Sequence, residues 1–174
     1  MEMVSNELAH DIIFYVCGAR QGKAPSKHAG TLRRTVSDML DRHCVVYNGM
    51  MAKLDVSENS AKTVFTNVVD EIFRDGQFNW GRLVSVFAFG SRIGKKLYSY
   101  SKNSVEEFAN FLGKFVAEKF GRWIQSHGGW VRFQYFSLFL IYIAIYASNL
   151  EGAVLKPWVL PFSTLILNNN PLPN

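Results

Sequence analysis

The sequence predicts an all-α protein, a bundle of amphipathic helices wrapped on one hydrophobic helix. Three observations carry this expectation. From Leu83 to Gly90 the chain reads Leu-Val-Ser-Val-Phe-Ala-Phe-Gly. That run is apolar nearly all round rather than along one stripe, the pattern of a buried central helix. The segments on either side repeat apolar residues at the spacing of one helix face. No stretch reads as a convincing strand, which leaves helix-on-helix packing as the architecture.

Taken in order, Asn6 to Val16 places Leu8, Ile12, Ile13 and Val16 on one helical face. Arg20 to Gly30 is rich in Gly, Lys, Pro and Ser and reads as a loop. Thr31 is positioned to cap a long helix to about Leu54, with Leu32, Val36, Met39, Leu40, Cys44, Tyr47, Met50, Met51 and Leu54 at helical spacing. Ser57 to Ser60 interrupts the pattern. A further helix, Ala61 to Arg74, turns Val64, Phe65, Val68, Val69, Ile72 and Phe73 inward. Asp75-Gly76 is turn chemistry, and Asn79 is a strong N-cap type set just before the central helix. That helix starts at Trp80 and ends near Lys95-Lys96, cations that suit a helix C-terminus. Tyr98 to Asn103 reads as a loop. Val105 to Gln125 is amphipathic, with Phe108, Phe111, Leu112, Phe115, Val116, Phe120 and Ile124 inward. Gly128-Gly129 stops it, and Trp130 opens a last helix.

Phe133 to Leu150 contains no charged residue and is long enough, at the low end, to span a bilayer. A helix buried on the back of the bundle is the alternative. The tail after Pro157 is rich in Pro and Asn and reads as irregular. The expected division is therefore a bundle over residues 1–136, then an apolar helix, a potential membrane anchor, and an irregular tail over 137–174.

A length of 174 residues suits this plan, and 48% hydrophobic residues supply ample core. Charged residues, at 19%, fall below the usual share of about 25%, which points to extra apolar surface or a membrane segment. The net charge of +5 is scattered along the chain, so it argues for an anionic lipid surface at least as well as for nucleic acid. Cys17 and Cys44 have no paired spacing and read as reduced thiols. Met1 to His10 has neither the basic flank nor the apolar core of a secretory signal. No residues are arranged as an activated nucleophile. His10, His28, His43 and His127 share no ligand spacing, and Gly90 to Gly94 lies inside a helical pattern with no strand before it, so it is not a phosphate loop. Neither enzyme activity nor a metal or cofactor is expected.

Arg82 stands out. It falls in the first turn of the central helix, where the helix dipole disfavours a cation. Two readings are open: a solvated surface arginine, or a planar fork held ready for a carboxylate. Gly81 beside it leaves room for another backbone or a ligand to come close.

Asp75-Gly76-Gln77-Phe78-Asn79-Trp80-Gly81-Arg82-Leu83-Val84 resembles the first homology motif of the Bcl-2 apoptosis regulators. Trp123 to Trp130 (Trp-Ile-Gln-Ser-His-Gly-Gly-Trp) is similar to that family's second motif, at the expected distance downstream. The resemblance covers roughly Glu7 to Phe136. Thr31 to Arg34 and Gly49 to Asp55 look most like the Mcl-1 branch; Ala61 to Phe65 and Val86 to Phe89 look like the A1 (Bfl-1) branch. Both are survival branches.

The resemblance implies a Bcl-2-like helical bundle with a surface groove. An amphipathic helix from a pro-apoptotic family member (a BH3 motif, of the Bim, Bak or Bax kind) would lie in it. By carry-over from matching positions, the groove would be lined by Val46, Tyr47, Met50, Leu54, Val68, Val69, Ile72, Ser85 and Phe89. Asn79, Gly81 and Arg82 would form its polar centre, with Arg82 meeting the partner's aspartate. The implied action is anti-apoptotic: sequestering partners so that the mitochondrial outer membrane stays intact. The implied location is that membrane or other intracellular membranes, with a cytoplasmic pool. Homo- or heterodimers and a membrane surface are further implied partners.

Two departures from the family pattern bear on this. Val131 stands where the second motif usually has an acidic residue, removing a cap for the last helix. In the chain's own third motif, counted from Leu32, the small residue and the aspartate fall on Val36 and Ser37, and Asp38 comes one place late. Killer members need that aspartate, so the defect favours a survival protein. A pore-forming effector of the same fold is the alternative, since the first two motifs resemble those proteins as well.

Overall fold

The computed structural model describes residues 1–136, and these form an all-α bundle with no strand among the described residues. The elements are α1 (Glu2–Val16), α2 (Lys27–Arg42), α3 (Cys44–Lys53), α4 (Ala61–Ile72), α5 (Trp80–Tyr98) and α6 (Lys102–Ser126). Residues 129–136 are helical again and are called α7. The expected apolar helix beyond residue 136 and the irregular tail lie outside the described residues.

Helix α5 is the centre. Leu83, Val84, Val86, Phe87, Ala88, Phe89, Ile93 and Leu97 are all essentially inaccessible. Helices α1, α2, α4 and α6 all pack against it, and α1 and α6 also lie side by side. Close approach depends on glycine. A Cβ on Gly94 would stand 2.6 Å from Ile13 Cγ2 of α1, and one on Gly90 would stand 2.8 Å from Leu112 Cδ2 of α6. These two glycines, which frame the Gly90–Gly94 stretch, are helix-crossing contacts.

The expected single helix from Thr31 to about Leu54 is two. His43, at φ −118° and ψ 28°, breaks it, and the cap is Ser26 rather than Thr31: the Ser26 hydroxyl accepts from the Ala29 amide at 3.2 Å. The loop expected to run to Gly30 therefore ends at Ser26. The break has a packing reason. Leu32 and Val36 of α2 bury on one side of the bundle, and a straight continuation would leave Tyr47 and Met50 in solvent. With the turn at His43 both are buried, at 3% and 4% exposure. No Gly or Pro marks the site, so local chemistry carried no signal.

Other boundaries follow the sequence closely. Asn79 caps α5, its side-chain oxygen accepting from the Arg82 amide at 2.8 Å. Ser57 and Ser60 bond each other's amides reciprocally before α4. Gly128 and Gly129 both take positive φ, 84° and 64°, which ends α6 and redirects the chain into α7 without the missing acidic cap. Trp130 then wedges against Trp80, Phe87 and Phe133, with ring centroids 5.6–6.1 Å apart across Trp80–Phe133, Trp80–Trp130 and Phe87–Trp130.

One ion pair fixes α2 to α1. Asp11 is 1% exposed, and Arg33 donates to both of its oxygens, at 2.7 and 2.6 Å. Arg33 also donates to the Gly22 carbonyl at 2.6 Å and lies over the Tyr15 ring at 4.6 Å. Its bond to Asp11 holds the guanidinium more firmly protonated than usual. A buried charge that loses its partner is costly, typically about 3–5 kcal/mol. Asp11→Asn should therefore lower unfolding free energy by roughly that amount, measured by urea denaturation; a change below about 1 kcal/mol would show that the Gly22 carbonyl and solvent satisfy Arg33 without the carboxylate.

Candidate functional site: the Arg82 end of the central helix

The α4–α5 turn presents Arg82. Asp75 sets the turn by accepting from the Gln77 amide at 3.0 Å, and Asn79 then starts the helix. Arg82 folds back over this turn. Its Nη1 donates to Asp75 Oδ1 at 2.5 Å and to the Gln77 carbonyl at 2.9 Å, and its Nη2 donates to Asp75 Oδ2 at 2.7 Å. The guanidinium carbon lies 6.0 Å from the Phe73 ring centroid. The Arg82 side chain is only 12% exposed, against 47% for Asp75. The arginine is thus neither solvated nor open. Its fork is already closed on a carboxylate of its own chain, and its Nε is buried without a hydrogen-bond partner. The sequence offered both members of this pair, seven residues apart, but only the fold shows that they meet.

The pair moves both groups further into their charged forms. The Arg82 fork, followed by the Gln77 amide, pulls the Asp75 carboxyl down to about 2. The same bond raises Arg82.

The other sequence-predicted residues surround a seam between α3, α4 and α5. Tyr47 and Met50 of α3, Val68, Val69 and Ile72 of α4, and Gly81, Ser85 and Phe89 of α5 are buried. Val46, Leu54, Asn79 and Arg82 are half-buried. Tyr47 and Ser85 are hydrogen-bonded across the seam; burial pushes the Tyr47 phenol well above its ordinary value, and this bond opposes the shift. The Ser85 hydroxyl also lies 3.5 Å from Met39 Sδ of α2 and 3.1 Å from the Gly81 carbonyl. Phe89 stacks on Phe65 of α4 at 6.0 Å. Of the twelve residues, Tyr47 and Ser85 meet directly, Ser85 bonds Gly81 and Asn79 caps Arg82, and both α3 and α4 pack on α5. Met39, Phe65 and Phe73, which the sequence reading left out of the site, take part in it. Their helical spacing marked them only as core.

On the far side of Arg82 an aromatic cluster supports the turn. Phe78 stacks with Phe73 at 5.2 Å and meets Phe120 at 5.8 Å, and Trp80 meets Trp123 edge-on at 4.9 Å. The first and second homology motifs thus touch through Trp80, Trp123 and Trp130.

Comparison with known proteins agrees with this arrangement. The family model for apoptosis regulator proteins of the Bcl-2 family matches residues 32–130. Bcl-2-related protein A1 of Bos taurus is 34% identical over 129 residues, covering 71% of this chain and 74% of that protein. The apo crystal structure of the zebrafish pro-survival protein NRZ is 26% identical with a TM-score of 0.70, covering 78% of this chain and 92% of that one. The Trichoplax adhaerens protein trBcl-2L2, solved bound to trBak BH3, is 19% identical with a TM-score of 0.68, over 79% of this chain and 98% of that one, and speaks to the fold alone.

The low Asp75 carboxyl gives a pH prediction. A carboxyl depressed in the folded state adds stability above its ordinary value, 3.8, and that contribution disappears as pH falls through about 2. A nuclear magnetic resonance titration of the Asp75 side chain should show a midpoint near 2, returning toward the ordinary value in Arg82→Ala. An unshifted midpoint in the wild type would mean that the pair does not persist in solution. The family-model match over residues 32–130 and the similarity to the A1 protein, on a chain whose Asp75–Arg82 turn opens a largely buried helix, show that it belongs to the Bcl-2 family of apoptosis regulators.

Proposed function

We propose that the protein is an anti-apoptotic regulator that binds the BH3 helix of pro-apoptotic family members along the α3–α4–α5 seam. The observation that carries this reading is the position of Arg82. It stands in the first turn of α5, over the Phe73 ring, on the helix whose buried Ser85 and Phe89 meet Tyr47 of α3 and Phe65 of α4. An amphipathic helix has the matching pattern, with apolar anchors on one face and a carboxylate placed to meet the cation. Binding would require α3 to lift, since Tyr47 and Met50 are buried, with Tyr47 bonded to Ser85 of α5. Methionines at Met39, Met50 and Met51 suit a wall that repacks around different ligands.

The survival role rests on two further features. The chain's own third motif lacks the aspartate at its proper place. Its helix, α2, is pinned to α1 by the buried Asp11–Arg33 pair, so donating α2 to another molecule would strand a buried charge. Similarity to the A1 protein and to a pro-survival zebrafish protein points the same way. By sequestering pro-apoptotic members the protein would keep mitochondrial outer membranes intact.

Two experiments test this. Titrating the protein with BH3 peptides of the Bim, Bak and Bax kinds by calorimetry should give saturable one-to-one binding. Adding it with such a peptide to dye-loaded liposomes should release no dye; release would make it a pore-forming effector instead. Arg82→Ala should weaken peptide binding by about 2–5 kcal/mol, because a carboxylate would be desolvated with no partner. A loss under about 0.5 kcal/mol in a folded mutant would remove Arg82 from the interface.

Residence at the mitochondrial outer membrane and other intracellular membranes, with a cytoplasmic pool, is proposed from the uncharged run Phe133 to Leu150. No helix among the described residues is long and apolar enough to cross a membrane, and the run itself lies mostly beyond them. Ile141→Asp and Ile145→Asp should each reduce membrane residence on cell fractionation. A central aspartate costs about 2.5–3.5 kcal/mol on insertion scales, and unchanged fractionation of both would refute a spanning role.

A further inference from the structure

We propose that Asp75 is an internal competitor for Arg82, a surrogate for the partner's carboxylate that an incoming helix must displace. This rests on the reading that Arg82 receives such a carboxylate.

The geometry leaves little choice. Both terminal nitrogens of the Arg82 fork are engaged by the two Asp75 oxygens, and Nη1 also holds the Gln77 carbonyl. The donors left over are Nε and the second hydrogen of Nη2, and Nε has no hydrogen-bond partner but is shut away from solvent. With Nε shut away, an arriving carboxylate can reach only that one Nη2 hydrogen while Asp75 remains, so a two-point pair requires Asp75 to leave. The two groups also differ in what release costs them. Asp75 is nearly half exposed, so on leaving it is rehydrated at once, whereas Arg82 is largely buried and must keep a partner. Exchange of one carboxylate for another is therefore feasible, and abandonment of Arg82 is not.

The exchange has consequences that simple ion pairing lacks. A peptide whose aspartate is replaced leaves the Arg82–Asp75 pair intact, so that peptide loses little. Removing Arg82 strands the peptide's aspartate and loses much. The partner's carboxylate thus contributes mainly by the difference between two similar pairs. Asp75 lowers affinity for carboxylate-bearing helices and narrows the gap between them and helices without one.

A thermodynamic cycle tests this, using the whole chain and two BH3 peptides of the Bim kind, one with its aspartate and one with asparagine there. Asp75→Asn keeps the bond to the Gln77 amide but removes the charge and the two-oxygen grip. It should tighten binding of the aspartate peptide roughly threefold to tenfold and leave the asparagine peptide nearly unchanged. In an Arg82→Ala background the effect of Asp75→Asn should vanish, because the competition acts only through the arginine. A purely structural Asp75 would instead weaken both peptides equally. Weaker binding of the aspartate peptide by Asp75→Asn, or equal shifts for the two peptides, would overturn the proposal. The wild-type protein supplies a check that needs no variant of the chain: the two peptides should differ by less than about tenfold, while Arg82→Ala costs the aspartate peptide more than that. A wild-type difference of a hundredfold or more would refute competition even if Asp75→Asn failed to fold. Failure of both peptides to bind any form would overturn the groove reading itself, and this proposal with it. Binding that ignores Asp75 would overturn this proposal alone.

Discussion

Burial of α5 is the constraint from which the rest of the bundle follows. A helix apolar on every side has no face to offer water, so it is stable only when other helices surround it. Among the described residues five helices, α1, α2, α3, α4 and α6, do so, and two of them approach so closely that Gly90 and Gly94 admit no Cβ without displacing a neighbour. The polar needs of the structure are pushed to the ends of this helix. At its C-terminus Lys95 and Lys96 meet a favourable dipole. At its N-terminus the sequence places a cation against the dipole, and the structure offsets it with Asp75. The carboxylate neutralises the arginine and accepts from the Gln77 amide in the turn before the helix. The functional centre and the start of the core helix are therefore one feature.

The sequence made the architecture legible because its strongest signal, the apolar run from Leu83 to Gly90, required a surrounding shell whatever the details. Asn79 as cap and Gly128-Gly129 as stop were legible for a local reason: each satisfies a backbone geometry that few residues satisfy as well. The break at His43 was not legible. Cys44 to Leu54 continues the helical spacing of Leu32 to Leu40, and only the three-dimensional position of α5 decides that Tyr47 and Met50 must turn toward it. The cap at Ser26 was hidden in the same way, since Thr31 is an equally good cap type and the choice depends on where α2 must begin to reach Asp11.

At the candidate site, the motif named residues but could not show their state. Val68, Val69, Ile72 and Phe89 have the spacing of core and would have it with or without a ligand. What distinguishes a wall from a core is whether a neighbour can leave. The Asp75–Arg82 contact was unreadable for a different reason. Asp75 is a turn residue by its position before glycine, and that role fully accounts for its presence in the sequence; its second role, as the partner of Arg82, depends on the angle at which the turn enters α5.

On the proposed reading, two costs would stand between the closed protein and a bound helix, and they would act differently on specificity. Lifting α3 exposes Tyr47 and Met50 whichever helix arrives, so it scales every affinity by the same open fraction; an arrangement open about 1% of the time binds all ligands about a hundredfold more weakly than its intrinsic affinity. Such a uniform cost excludes weak binders without ranking strong ones. The Arg82 exchange is not uniform, because only a ligand bringing a carboxylate engages it, and that ligand gains no more than the difference between its own pair and the one it breaks. Ranking among partners must then come chiefly from how well apolar anchors refill the space that Tyr47 and Met50 vacate. Methionine-rich walls of this kind adapt their shape to the anchor rather than selecting one shape. A protein that bound helices in this way would discriminate them by total apolar fit, with the arginine fixing their register.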